Sequence, residues 1–66
     1  MNVIINGQAR QLASSQSLNQ IVENFTKHPH AVITELNGTI IPFEGRKEIN
    51  LQEGDTLELV TFVGGG

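Results

Sequence analysis

Apolar and polar residues alternate at the start of the chain. Within residues 1–5 the apolar side chains at the odd positions share one face, and Ile4 lies on the other. A period of two residues is typical of a β-strand with one buried face. Asn6 and Gly7 follow directly, and this pair favours a type I′ turn because both of its central residues take a positive φ. The pattern therefore predicts a β-hairpin.

The two-residue turn sets the register of this hairpin. Ile5 pairs with Gln8, and the same register brings Arg10 opposite Val3, on the face that should be buried. We expect Arg10 to lie near the margin of the sheet, with its stem packed and its charged head in water. A β-bulge that turns the side chain elsewhere is the alternative.

The periodicity then changes to that of a helix. Ser17 is a good N-cap, and Gln20 three residues later completes a capping box. Pro29 is expected to end the helix. The apolar residues recur at i, i+3, i+4 and i+7 and make one narrow stripe that should lie on a sheet: Leu18, Ile21, Val22 and Phe25.

A second Asn-Gly pair predicts a second hairpin or a tight turn between strands. Asn37 and Gly38 separate two runs rich in β-branched residues, and Pro42 ends the short second strand. Residues 43–55 are predicted to be irregular, with Ile49 and Leu51 under the sheet and a turn at residues 53–55. Residues 56–63, an apolar run, are predicted to form the last strand.

The predicted order of elements is β-β-α-β-β-β. One helix can cover only one face of a sheet of four to five strands, so the class is α+β, with one face packed and the other solvated. If Leu57 and Leu59 face the helix, alternation puts Glu58, Val60 and Phe62 on the open face.

Size and composition exclude several classes of function. The chain has 66 residues, which allows one domain with little room for an internal active-site pocket. It has no cysteine, which excludes disulfides and a thiol nucleophile. Its net charge is −3 and its four basic residues are scattered, so nucleic acid is not an expected partner. The start has no signal-peptide pattern and no run could span a membrane, so we expect a cytoplasmic protein without a membrane partner.

The side chains present few candidates for chemistry. His28 and His30 resemble a metal-ligand pair, but Pro29 separates them and no third ligand is near in sequence. We interpret them as solvent-exposed residues of a loop and expect no metal site. The acidic residues are spread singly, which is typical of a solvated surface. Glu35 and Glu58 are the two that we would test as partner contacts.

The chain closes on a strongly apolar strand followed by three glycines. Glycine loses more conformational freedom on folding than other residues, so three in a row stabilise no domain. A frayed terminus is the plain interpretation. However, Phe62 and Val63 leave apolar side chains at the point where the fold ends, and such a patch usually indicates a partner.

The sequence as a whole resembles the ThiS family of ubiquitin-like sulfur carriers. The match rests on "INGQ" after the first strand, "SLNQIV" at the start of the helix, "ELNGTIIP", and "LQEGDTLELVTFVGGG" at the end. It covers essentially the whole chain. Arg10 is a departure, since an apolar residue is commoner there. The resemblance implies a β-grasp fold, with a domain over residues 1–63 and a flexible tail over residues 64–66.

The resemblance also implies a role for the C-terminus. A ThiF-like adenylating enzyme would use ATP to convert the carboxylate of Gly66 to an acyl adenylate. Sulfur from a cysteine persulfide donor would leave a thiocarboxylate there, and a ThiG-like thiazole synthase would take that sulfur for thiamin. The chain itself would be no enzyme and would bind no cofactor, because ATP belongs to the partner.

Partner contacts are expected at the end of the chain. Gly65 and Gly66 match the family's terminal pair, and Gly64 is the further glycine of the thiamin-type ending. The candidates for the docking surface are Val60, Phe62 and Val63. Two alternatives remain open: a MoaD-like carrier for molybdopterin synthesis, and a ubiquitin-like interaction module with an inert tail. The identity of the sulfur donor and the oligomeric state are also open.

Overall fold

The structure, a computed structural model, describes residues 1–13 and 15–61. The order of its strands and its α-helix is the predicted one, with two short 3₁₀ helices added. The strands are β1 (Asn2–Ile5), β2 (Gln8–Gln11), β3 (Val32–Leu36), β4 (Thr39–Ile41) and β5 (Thr56–Thr61). The helix α1 is Leu18–Phe25, and the 3₁₀ helices are Pro29–Ala31 and Phe43–Glu48.

The five strands form one mixed sheet in the order β2-β1-β5-β3-β4. The two hairpins flank β5, which lies in the middle. β5 runs parallel to β1 and antiparallel to β3. The last strand of the sequence is therefore the central strand of the sheet, with hydrogen-bonded neighbours on both sides.

The hairpin turns have the predicted conformation. Asn6 and Gly7 have φ values of 51° and 80°, and Asn37 and Gly38 have 50° and 86°. These positive φ values suit Asn and Gly far better than other residues. The register of the first hairpin is confirmed as well.

Arg10 lies opposite Val3, as predicted, and on the edge strand β2. The pairing of β1 with β2 continues without interruption, so there is no bulge between these two strands. The guanidinium is exposed and donates a hydrogen bond of 3.4 Å to Gln8 Oε1. An arginine is tolerated at this position because the edge of the sheet leaves its head in water.

The core lies between the sheet and α1. Ser17 caps the helix through the predicted capping box, in which Gln20 N donates to Ser17 Oγ (3.1 Å) and Ser17 N to Gln20 Oε1 (3.0 Å). The buried apolar residues come from both layers and from the loop before β5: Val3, Ile5, Leu18, Ile21, Val22, Val32, Leu51, Leu57 and Leu59.

The helix ends earlier than predicted. It stops at Phe25, and Pro29 instead begins the first 3₁₀ helix. Thr26 adopts an extended conformation, and its Oγ1 accepts a hydrogen bond from His28 N (3.0 Å). Threonine offers the backbone this alternative to helix hydrogen bonds, which ends the helix before the proline can. Phe25, the last residue of the helix, is 44% exposed.

The segment predicted as irregular contains an ordered element. Residues 43–48 form the second 3₁₀ helix, whose first turn is closed by a 3.0 Å hydrogen bond from Gly45 N to the carbonyl of Pro42. Leu51 is buried and Ile49 packs against the core, as predicted. The prediction missed the helix because short 3₁₀ turns have no apolar periodicity of their own.

No helix within residues 1–13 and 15–61 has the length and apolarity that a membrane span requires.

Candidate docking face and C-terminal segment

The predicted site is described only up to the end of β5. Val60 lies on that strand. The other predicted site residues lie outside the described residues: Phe62, Val63, Gly64, Gly65 and Gly66. What the structure adds is the face of the sheet that precedes them.

The open face of the sheet has an apolar pair next to the end of β5. Val60 is 54% exposed, and Ile33 directly opposite it on β3 is 41% exposed. Leu57 and Leu59 are buried against the helix side, as the alternation predicted. The assignment of Val60 to the open face is therefore confirmed, whereas its contact with a partner stays a prediction.

Two carboxylates lie beside this apolar pair. Glu35 on β3 and Glu58 on β5 are directly opposite each other in the register. Both side chains are half-buried, and Ile40 on β4, which is opposite Glu35, is 63% exposed. The two acids that the sequence singled out are thus brought together at the centre of the open face.

The C-terminal half of β5 is held by a turn residue that sequence reasoning missed. β1 pairs with β5 only as far as Leu57, because the chain then enters its first turn. Beyond that point, Asn6 in the turn makes the hydrogen bonds to β5. Its backbone N donates to the carbonyl of Leu57 (2.9 Å), and its Oδ1 accepts from Leu59 N (2.7 Å). The side chain thereby extends β1 by one more hydrogen bond.

Asn37 makes the equivalent contacts at the other end of β5. Its Oδ1 accepts from Thr56 N (2.9 Å), and its Nδ2 donates to Asp55 Oδ1 (3.0 Å). The sequence signal for both asparagines was the Asn-Gly pair, which predicted the turns. The long-range partners, 53 residues away for Asn6 and 19 for Asn37, had no local signal.

Arg46 is a second residue that sequence reasoning missed, since it was counted only among scattered charges. Its side chain is buried and donates to the carbonyl of Pro29 (2.9 Å) and to that of Val32. Burial lowers the pKa of the guanidinium, and the charge of Glu44 opposes that shift. Val32 pairs with Thr61, so Arg46 anchors the strand start that faces the end of β5.

The histidines lie apart from this face. His28 and His30 are exposed, as predicted, and the His30 ring stacks on Phe43 with 4.2 Å between centroids. Within residues 1–13 and 15–61, no three His, Cys, Asp or Glu side chains are grouped so that they could hold a metal ion.

Two depressions of the described surface are small. One lies beside Arg10 and Phe25 and encloses about 180 Å³, and the other lies beside Phe43 and encloses about 210 Å³. Ordinary small-molecule sites occupy roughly 300–1,000 Å³. The arrangement suits contact with a protein surface better than enclosure of a substrate.

Comparison with known proteins points in one direction. The model of the ThiS family matches residues 3–66. A thiazole synthase of Paramagnetospirillum magneticum is 30% identical over all 66 residues, which span 20% of that protein's length. The sulfur carrier protein ThiS of Escherichia coli K12 is 27% identical, and the match covers both chains completely.

Solved structures agree with these sequence matches. The crystal structure of the thiamine biosynthesis protein ThiS from Geobacter metallireducens superimposes with a TM-score of 0.85 at 26% identity over the whole of both chains. A solution structure of a thiamine biosynthesis protein from the same organism gives a TM-score of 0.83 at 28% identity, over all of this chain and 88% of that one. The expected β-grasp fold is thereby confirmed.

Proposed function

The chain belongs to the ThiS family of sulfur carriers in thiamin biosynthesis, which are not enzymes, and on that premise we propose how its C-terminus carries sulfur. The reactive group is the carboxylate of Gly66. The domain over residues 1–63 presents it, and the glycine tail over residues 64–66 delivers it into the active sites of partners. The observation that carries the proposal is the match of the family model through the last residue of the chain.

The proposed chemistry begins with activation, because a free carboxylate is a poor electrophile. The carboxylate attacks the α-phosphate of ATP in a ThiF-like adenylating enzyme, which gives an acyl adenylate and releases pyrophosphate. The terminal sulfur of a cysteine persulfide then attacks the acyl carbon and displaces AMP. A second thiol cleaves the resulting acyl disulfide and leaves the thiocarboxylate on Gly66. ATP is bound by the partner and not by this chain.

The fold supports delivery of the tail into a neighbouring protein. β5 ends at Thr61, and five residues follow it. At 3.3–3.6 Å per residue, an extended segment of that length reaches about 17 Å. Residues without Cβ let the walls of an active site approach the backbone closely, which suits Gly64, Gly65 and Gly66.

Docking has to supply the affinity, because ordering a flexible tail costs free energy on binding. Val60 on the open face is the described candidate, and we propose Phe62 and Val63 as further contacts with the partner. The acceptor of the sulfur is a ThiG-like thiazole synthase. Support comes from the thiazole synthase of P. magneticum, which is similar to this chain over 20% of its length.

The proposal is tested by the intact mass of the chain. The purified protein is incubated with a ThiF-like enzyme, ATP and a persulfide donor, and we expect a shift that corresponds to exchange of one oxygen for sulfur at the C-terminus. Omission of ATP is the control. An unchanged mass in the complete mixture would exclude the carrier function. Addition of a thiazole synthase and its substrates should then restore the original mass, which assigns the sulfur to thiamin and not to a pterin.

A further inference from the structure

The two Asn-Gly turns carry a chemistry that the sulfur-carrier function does not use. The amide of an asparagine is open to attack by the backbone nitrogen of a following glycine, because glycine has no Cβ to hinder the approach. Asn6 and Asn37 are both exposed. A Cβ built on Gly7 or on Gly38 would meet no atom within 4 Å, so the space beside both turns is open to water.

The reaction needs only water and involves no oxidation. In the first turn, Gly7 N forms a bond to Asn6 Cγ, the bond from Cγ to Nδ2 breaks, and ammonia leaves with the proton lost by Gly7 N. Water then opens the cyclic imide. Attack at Cγ gives aspartate, whereas attack at the backbone carbonyl carbon gives isoaspartate, in which the chain runs through Cγ. Either product carries a new carboxylate.

Ring closure requires the side-chain amide to leave its hydrogen bonds, and Asn37 is held by two of them. Its Oδ1 accepts from Thr56 N (2.9 Å), and its Nδ2, the nitrogen that would leave, donates to Asp55 Oδ1 (3.0 Å). Asp55 is itself fixed, because its Oδ2 accepts from Gln52 N (2.8 Å). The second turn therefore opposes the reaction at both ends of the amide.

The amide of Asn6 is held at one end. Its Oδ1 accepts from Leu59 N (2.7 Å), which is the partner of this side chain among residues 1–13 and 15–61. Its Nδ2 is thus able to leave without breaking a further contact within that part of the chain. The same hydrogen bond ties the first turn to the C-terminal half of β5, so a reaction here reaches a distant strand.

We propose that Asn6 is a site of spontaneous deamidation, and that its isoaspartate product releases the C-terminal half of β5. Isoaspartate lengthens the backbone of the turn by one atom and attaches the carboxylate directly to Cα. The two-residue turn and the acceptor for Leu59 N are both lost. Aspartate, the other product, keeps the backbone and an acceptor oxygen. The modification is therefore a covalent switch on the strand that leads to the C-terminal segment.

The rates at the two turns test the first part of the proposal. The purified protein is incubated at mildly alkaline pH, and peptide mapping by mass spectrometry follows the exchange of amide for acid. In the folded chain Asn6 should react on the order of tenfold faster than Asn37, because Asn37 must also break a hydrogen bond to a charged group. In urea the two rates should be similar. Equal rates in the folded chain, or reaction at Asn6 only in urea, would overturn the assignment.

Hydrogen exchange tests the second part. In the isoaspartate form, isolated by chromatography, the amide of Leu59 should exchange at least about tenfold faster than in the wild type. The matched control is Asn6→Asp, which has the same charge on an unaltered backbone and should keep the wild-type rate. Val22, buried in α1, is the internal reference and should stay protected. Equal exchange at Leu59 in the two forms, or equal acceleration at Val22, would refute the switch.

Discussion

At the scale of single residues, Arg46 is a buried anchor of the fold, although the sequence identified it only as one of four basic residues. Arg46 is 3% exposed and its guanidinium donates to two backbone carbonyls, those of Pro29 and Val32. It also lies over the ring of Phe43, 5.1 Å from the centroid, an arrangement that favours a cation. A buried charge is tolerated when such partners replace the lost water.

Replacement of Arg46 by methionine keeps an apolar stem but removes both donors. The carbonyl of Pro29 keeps a hydrogen bond from Val32 N, but that of Val32 loses its arginine donor. Because a buried carbonyl left without a partner costs about 1–3 kcal/mol, we expect the free energy of unfolding to fall by about 1–3 kcal/mol in urea denaturation. Arg10→Met is the matched control on an exposed arginine and should change it by less than about 0.5 kcal/mol. Equal effects of the two substitutions would contradict the anchoring role.

The decrease in the free energy of unfolding caused by Arg46→Met should not depend on pH. Burial lowers the pKa of Arg46, so the charged form is disfavoured in the folded protein relative to the unfolded chain. A pH dependence would arise only near that pKa, and an arginine keeps its proton through the neutral range. Urea denaturation at about pH 5 and pH 9 should therefore give the same difference between variant and wild type.

At the scale of elements, both hairpin turns act on a strand that is distant in sequence. Their Asn-Gly pairs form the tight turns and also bind the two ends of β5, through Asn6 at Leu59 and Asn37 at Thr56. β5 is central in the sheet, yet its last residues extend beyond the end of β1. The side chain of Asn6 supports the part of β5 that leads to the C-terminal segment.

Substitution of Asn6 by glycine separates the two roles of this residue. Glycine keeps the positive φ of the turn but leaves Leu59 N without its acceptor, so we expect a loss of about 1–2 kcal/mol in unfolding free energy. Hydrogen exchange at Leu59 should accelerate at the same time. Asn6→Asp retains an acceptor oxygen and should keep the amide protected. If Asn6→Gly left the exchange at Leu59 unchanged, the support of β5 by this side chain would be refuted.

At the scale of the whole molecule, stability and function are expected to reside in different parts of the chain. The core is formed by residues of the sheet, of α1 and of the loop before β5, from Val3 to Leu59. Removal of Gly66 should therefore leave the thermal melt unchanged while it abolishes thiocarboxylate formation, as intact mass would show. A lower melting temperature would indicate that the tail contributes to the domain. Gly38→Ala is the converse control, since a positive φ of 86° disfavours alanine there and should lower the melt without blocking the chemistry.

The sequence by itself determined the features that depend on near neighbours. Alternation, the capping box and the two Asn-Gly pairs each involve residues within a few positions of one another, and the elements they predicted are present. The family resemblance supplied the expectation for the C-terminus, which no local pattern contains. Local signals also have limits, since Thr26 ended α1 before the expected Pro29.

Only the tertiary structure decided which distant residues meet. The fold places Glu35 opposite Glu58, which is 23 residues later in the sequence. It also brings Asn6 into a hydrogen bond with Leu59, and the buried Arg46 into one with Val32 at the start of β3. These contacts depend on the order of strands in the sheet, with β5 between β1 and β3. Periodicity shows which face of a strand is buried, but it does not show which strand lies next to it in the sheet. Backbone hydrogen bonds can form between any two strands, whatever their side chains.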